Sequence, residues 1–266
     1  MSLSRSRQQA RVELLPWLHD VRFQVHKDLV EYVKELPKNS VIALEIRYAR
    51  IIRISRVMDI LAGKTPRSAN LTKREIEAVG DVFLSNVGLA LLELLQACRT
   101  RNHKIVPIDL GFGGEREPEI SGEYSEKHAK AMQLADQHFA NTISTLFSTL
   151  KQKKLFVVVG VNHVLNLQRE LKSKQLPVAV NDAMLTEKRH LRKVMRLGAA
   201  MRREALSGNI AKVKEIREKF SSMQLLLREG EFSSIKERIV SEIRQRSLWQ
   251  EQRAKERLAA RKQRRK

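Results

Sequence analysis

Four side chains in this sequence combine chemical competence with a telling position: His163, His19, Glu45 and Asp109. Each stands at or just beyond the end of a short apolar run. The clearest case is Phe156-Val157-Val158-Val159-Gly160-Val161-Asn162-His163. Consecutive large apolar residues read as a strand buried on both faces, which is the mark of a parallel sheet. Gly160 ends the run, and His163 follows where a helical pattern begins at Val164. Ligands of open α/β sheets bind outside the carboxyl ends of the strands. Gly160-x-x-His163 therefore sets a titratable, metal-competent imidazole on the edge where such proteins do chemistry.

The other runs deliver polar residues to the same edge. Val12 to Leu15 leads through Pro16-Trp17-Leu18 to His19-Asp20, Ser40 to Leu44 ends in Glu45 with Arg47 two residues on, and Lys104 to Ile108 ends in Asp109. Leu176 to Val180 leads to Asn181-Asp182. If these strands are parallel neighbours, His19, Glu45, Asp109 and His163 face one crevice. Two neutral imidazoles with one or two carboxylates suit a divalent transition metal, and they equally suit general acid–base work. Arg47 is placed to stabilise an oxyanion or to pair with Glu45.

The elements that must position these residues follow from a change of period. Strands are expected near 12–15, 40–45, 104–109, 154–160 and 176–180. Between them, helical spacing runs over Val21 to Leu36, Ile46 to Leu61, Thr72 to Cys98 and Glu126 to Leu150. Thr72 with Glu75 makes a capping box. On the last of these helices Met132, Ala135, Phe139, Ile143 and Phe147 mark the buried side. Strands alternating with helices predict an α/β fold: a mostly parallel sheet of about five strands with helices on both faces. The loop Gly111 to Glu123, rich in glycine and acid, is long for a βα connection and reads either as a lid or as a surface excursion. It carries no Lys-Ser/Thr after its glycines, so it is not a phosphate cradle.

Composition and charge complete the reading. The chain has 266 residues, a formal net charge of +21 and one cysteine. A single cysteine, Cys98, excludes an internal disulfide and sits in an apolar helical run, where it reads as core filler. Met1 to Arg7 carries no apolar stretch of the secretory type, and no run reaches the ~18 residues a membrane span needs. The setting expected is cytoplasmic and reducing. Residues 1–182 read as the α/β domain and 183–266 as a helical, basic region. Residues 185–266 hold 24 Lys and Arg against 10 Asp and Glu, and Arg253 to Lys266 alone hold eight basic residues and one acid. That region is expected to meet RNA, DNA or another acidic partner through its charge, with apolar positions such as Ile235, Ile239 and Ile243 on one face.

Three motifs together resemble the TraB/Tiki/ChaN-like superfamily, whose fold is related to that of erythromycin esterase. They are Leu14-Leu15-Pro16-Trp17-Leu18-His19, then Val41-Ile42-Ala43-Leu44-Glu45 with Arg47, then Val157-Val158-Val159-Gly160-Val161-Asn162-His163-Val164. A fourth stretch, Asp136 to Ile143, is similar to the helix that precedes the last motif in that group. The sequence departs from the pattern at Pro16, where glycine is usual, and at Gln137, near the usual arginine. The resemblance spans roughly residues 12–181. It implies a metal-dependent hydrolase or peptidase acting on a peptide or small substrate, or in the ChaN-like branch a haem binder. It also implies His19 and His163 as the motif histidines and Glu45 as the strand-end carboxylate that would hold the metal; the chemistry of the edge itself offers Glu45, Asp109 and Arg47 as catalytic groups. Asp109 is then the candidate to take the proton of a metal-bound water.

Overall fold

A computed structural model of the chain describes residues 11–18, 23–62, 86–109, 125–150 and 154–225, together with positions 241, 252, 255 and 256. It bears out the α/β reading. Five strands form one sheet in the order β3-β2-β4-β1-β5: β1 is Arg11–Trp17, β2 Val41–Arg47, β3 Lys104–Asp109, β4 Lys154–Gly160 and β5 Val178–Val180. Every pairing is parallel. The helices are α1 (Gln24–Glu35), α2 (Tyr48–Leu61), α3 (Asn86–Thr100), α4 (Glu126–Thr149), α5 (Val164–Ser173), α6 (Lys188–Leu206) and α7 (Ile210–Leu225).

Alternation along the strands builds two apolar layers. Leu15, Trp17, Ile42, Leu44, Ile46, Phe156 and Val158 face α1, α2 and α3. Val12, Leu14, Val41, Ala43, Leu155, Val157 and Val159 face α4, α5 and α6. A strand covered on both sides must be apolar at every position, which is why β4 is a continuous hydrophobic run. Cys98 is fully buried in the first layer, and burial pushes its thiol up to about 12, as suits a core filler. Pro16 is tolerated inside β1 because β5 pairs only from Val12 to Leu14, so no neighbour waits for its missing N–H.

Several boundaries differ from the periodicity reading. β2 runs on to Arg47, so α2 begins at Tyr48 rather than Ile46. α1 begins at Gln24, and α5 begins at Val164 as its pattern requires. The capping box at Thr72, the glycine-rich loop after β3 and, apart from positions 255 and 256, the basic tail lie outside the described residues, as does His19. The helix α6 lies beyond the boundary suggested at residue 182, yet its Leu191, Val194 and Met195 enter the second apolar layer. Among the described residues, no helix is long and apolar enough to cross a membrane.

The connections explain where a crevice opens. From β2 the chain leaves toward α2 on one face, and from the adjacent β4 it leaves toward α5 on the other. Loops that diverge to opposite faces leave a gap above the two strand ends, the usual ligand position in open α/β sheets.

Candidate active site at the switch point

Glu45 and His163 are the two residues that this gap brings together. Glu45 follows Leu44, the last residue of β2 in register with β4, and the β2–β3 register shifts just beyond it. Its parity directs it to the α4–α5–α6 face. Its Oε2 accepts the Gly160 N–H at 2.6 Å, which ties the end of β2 to the end of β4. Oε1 then lies 3.4 Å from His163 Nε2, a charge contact that is long for a good hydrogen bond. Gly160 also accepts the His163 amide at 2.8 Å, so the Gly-x-x-His turn is closed by its own backbone. His163 occupies the N-cap position of α5.

The opposite nitrogen of His163 is held from below. Nδ1 lies 2.5 Å from Asp136 Oδ1 on α4. Phe139, one turn along the same helix, places its ring 5.5 Å from the imidazole at 60°. Asp136 is 1% exposed, and a buried carboxylate must be paired. Its second oxygen accepts from Arg202 Nη1 of α6, and Arg202 also donates from Nη2 to the Asn162 carbonyl at 2.8 Å. A single chain of contacts thus runs Arg202–Asp136–His163–Glu45 across α6, α4, the β4–α5 turn and β2.

The electrostatics follow from this order. Burial is the largest influence on His163 and by itself lowers its pKa. The Glu45 charge and the hydrogen bond to Asp136 oppose burial and prevail, so the pKa lies above the ordinary imidazole value, while the Arg202 charge holds it down somewhat. In the neutral form the Asp136 carboxylate keeps the proton on Nδ1 and leaves the Nε2 lone pair toward Glu45. That lone pair is what a general base or a metal ligand needs. A ligating histidine whose other nitrogen is held by a carboxylate is the common arrangement around catalytic metals. Nε2 and Glu45 Oε1 fit two adjacent positions of such a donor set. Among the described residues, no group of three His, Cys, Asp or Glu side chains is close enough to hold an ion.

The remaining predicted residues are distributed differently. Arg47 pairs with Asp109 at 3.5 Å across β2 and β3, in register, and not with Glu45 as the sequence allowed. The reason is the shift in register: Arg47 sits opposite Asp109, whereas both carboxylate oxygens of Glu45 already face β4 and His163. Asp109 and Arg47 therefore form a rim pair beside the crevice. Gln137 is exposed on α4, and the arginine that reaches this helix is Arg202, from much later in the chain.

Sequence reasoning missed Asp136 and Arg202 as site residues, although both carry a readable signal. Asp136 falls seven residues after Ala129 and seven before Ile143, on the buried stripe of α4. Arg202 falls on the stripe of Met195, Gly198, Met201 and Ala205. An acid and a base on two apolar stripes are each other's most economical partners.

The fold and the site together define an α/β protein with a carboxylate–imidazole–carboxylate array at the switch point of its sheet. Comparison with known proteins finds no matching family model, no matching curated protein and no matching solved structure.

Proposed function

We propose that this chain is a hydrolase that acts on a peptide or another small carbonyl substrate at the switch-point crevice, with a divalent transition metal as cofactor. The observation that carries this reading is the placement of His163 Nε2 beside Glu45 Oε1 with the other side of each group already fixed. Groups held in this way need little reorganisation when charge develops in the reaction. His163 and Glu45 would hold the ion, with His19 beyond the end of β1 as the third ligand. When bound there, the ion would polarise the scissile carbonyl and make water a nucleophile at neutral pH. Asp136 keeps the imidazole in one tautomer and orientation, and Arg202 holds Asp136 in place by donating to its other oxygen. Arg47, whose side chain is half-exposed at the rim, is placed to meet a carbonyl oxygen or a substrate carboxylate, with Asp109 orienting it. A panel of peptides and activated esters, assayed with and without Mn²⁺, Co²⁺ and Zn²⁺, tests the proposal. Turnover should depend on added metal and should be lost in Glu45→Ala and His163→Ala. Metal-independent turnover that survives both changes would refute it.

The charge of residues 185–266 supports a second, separate role in binding a polyanion. Removing Arg253 to Lys266 should weaken RNA or DNA binding and flatten its salt dependence, since each phosphate contact contributes a log–log slope of about −0.7 to −0.9. Equal affinities and slopes for the full and shortened chains would contradict this.

A further inference from the structure

The α6–α7 hairpin turns one side to the core and the other to solvent. Residues 183–225, which contain it, hold eleven Lys and Arg against four Glu. On α6, Leu191, Val194 and Met195 enter the second apolar layer, while Arg189, Arg192, Lys193 and Arg196 are exposed. Positions i, i+3, i+4 and i+7 share one side of a helix, so these four charges form a single stripe. Arg203, two turns further on, falls on the same side and extends the stripe to about 20 Å. Beside it, Lys193, Arg196 and Leu197 of α6 face Lys219 and Glu218 of α7 across a groove of about 510 Å³.

The surrounding carboxylates do not cancel this charge. Asp182 holds Arg192, Glu204 lies beside Arg203, and Glu215 holds both Lys212 and Lys219. Glu187 precedes the helix at its N-cap, and Glu218 is the one acid in the groove. Among the described residues, Arg189, Lys193 and Arg196 have no carboxylate within ion-pair distance. Arg192 stays half-exposed in its pair, and an exposed pair contributes too little to keep a phosphate from sharing the guanidinium.

We infer that this face binds a nucleic-acid duplex through its phosphates, which rests on the polyanion role proposed for residues 185–266 and gives that role a folded surface and a partner. Four of the five stripe residues are arginines, whose planar forks match phosphate oxygens. A stripe of one sign along a straight helix suits a partner whose negative charge repeats regularly, as a duplex backbone does. Single strands are held by bases stacked on aromatic rings. Neither helix carries Tyr or Trp, and their one phenylalanine, Phe220, is buried. The face therefore offers contacts to a backbone and none to unstacked bases.

The test is the binding of the full chain to a labelled DNA duplex of about 20 base pairs, followed by anisotropy between about 50 and 200 mM salt. The triple variant Arg189→Gln, Lys193→Gln, Arg196→Gln should bind about tenfold or more weakly, and its log–log slope should be shallower by about 2–3, near 0.9 per lost contact. A matched triple variant, Lys38→Gln, Lys104→Gln, Lys174→Gln, removes three exposed charges where the chain enters β2, β3 and β5. It should stay within about twofold of the parent, because charges beyond about 10 Å are screened at this salt. All six positions are exposed, so both variants keep the fold. An equal loss in the two variants would reduce the effect to net charge and overturn the inference. Duplex binding that is unchanged in the α6 variant also overturns it, and leaves the polyanion role to other residues. A single strand of the same length, or poly-glutamate, bound as tightly as the duplex would overturn the assignment of the partner. A parent chain that binds none of the three would refute the polyanion role itself, and this inference with it.

Discussion

Arg202→Met removes the guanidinium while keeping most of the side chain's volume, and its effect can be worked out from the contacts. Arg202 and Asp136 are 3% and 1% exposed, so the variant leaves a carboxylate in the interior without its strongest partner. Removing one member of a buried pair typically costs about 3–5 kcal/mol. Asp136 retains His163 on its other oxygen, which places the expected loss near 3 kcal/mol, and the lost bond to the Asn162 carbonyl adds about 1 kcal/mol. Against a typical domain stability of about 5–15 kcal/mol, this is a large fraction. The pH dependence has a definite sign. The Arg202 charge holds the His163 pKa down, so its removal raises the folded value further. A raised histidine contributes stability in full below its unfolded pKa of about 6.5, and loses it as pH rises through the folded value. The variant gains more from this contribution at low pH than the parent chain does. Its deficit should therefore widen as pH rises from about 6.5 through the folded pKa. Urea denaturation at several pH values, with a proton NMR titration of the His163 ring, measures both effects. A deficit below about 1 kcal/mol, a deficit that narrows with rising pH, or a His163 pKa that falls would refute the reasoning.

Gly198→Ala should destabilise the fold although alanine is the better helix former. The added Cβ would lie 2.9 Å from Asn162 Oδ1, so the Asn162 side chain must turn aside, and the substitution stays destabilising only if that displacement costs more than the gain of about 1 kcal/mol in propensity; a thermal melt that rises would show that Asn162 moves freely and would contradict this. Trp17→Phe should cost about 1–3 kcal/mol in urea denaturation. It removes the indole N–H donated at 3.2 Å to His26 Nδ1, whose Nε2 faces Glu93 at 3.0 Å, and an unchanged midpoint would count against that network. Glu13→Gln should flatten the acid limb of stability. Burial alone would raise the Glu13 pKa, but hydrogen bonds from Arg11 and Asn181 and the charges of Arg11 and Lys154 together hold it low. The contribution of Glu13 is therefore present above about pH 4.5 and fades as pH falls through its folded value; identical acid limbs in the two chains would refute this.

The parts of this structure that can be read from the sequence are those set by local pattern. β4 is legible because a strand covered on both faces has no polar position to spare, and His163 is legible because a glycine ends that strand. Glu45 is legible as the polar residue that follows Leu44. What could not be read is what depends on register and on distant packing. Arg47 meets Asp109 only because β2 shifts register after Leu44, and no local period encodes such a shift. Arg202 meets Asp136 across 66 residues, through the packing of α6 on α4. Their appearance on apolar stripes signals that each is buried and needs a partner, but only the assembled helices show which partner it is.

The most direct test of the central claim is a Co²⁺ titration of the full chain followed by visible absorption, with Glu45→Gln and His163→Asn titrated beside it. The account predicts one ion per chain with a d–d spectrum of low coordination number. Binding should be lost in both variants and weakened about 10–100-fold in Asp136→Asn, where only the orientation of the imidazole is disturbed. A spectrum and stoichiometry that persist unchanged in Glu45→Gln and His163→Asn would contradict the claim that these two residues form the working edge of the protein.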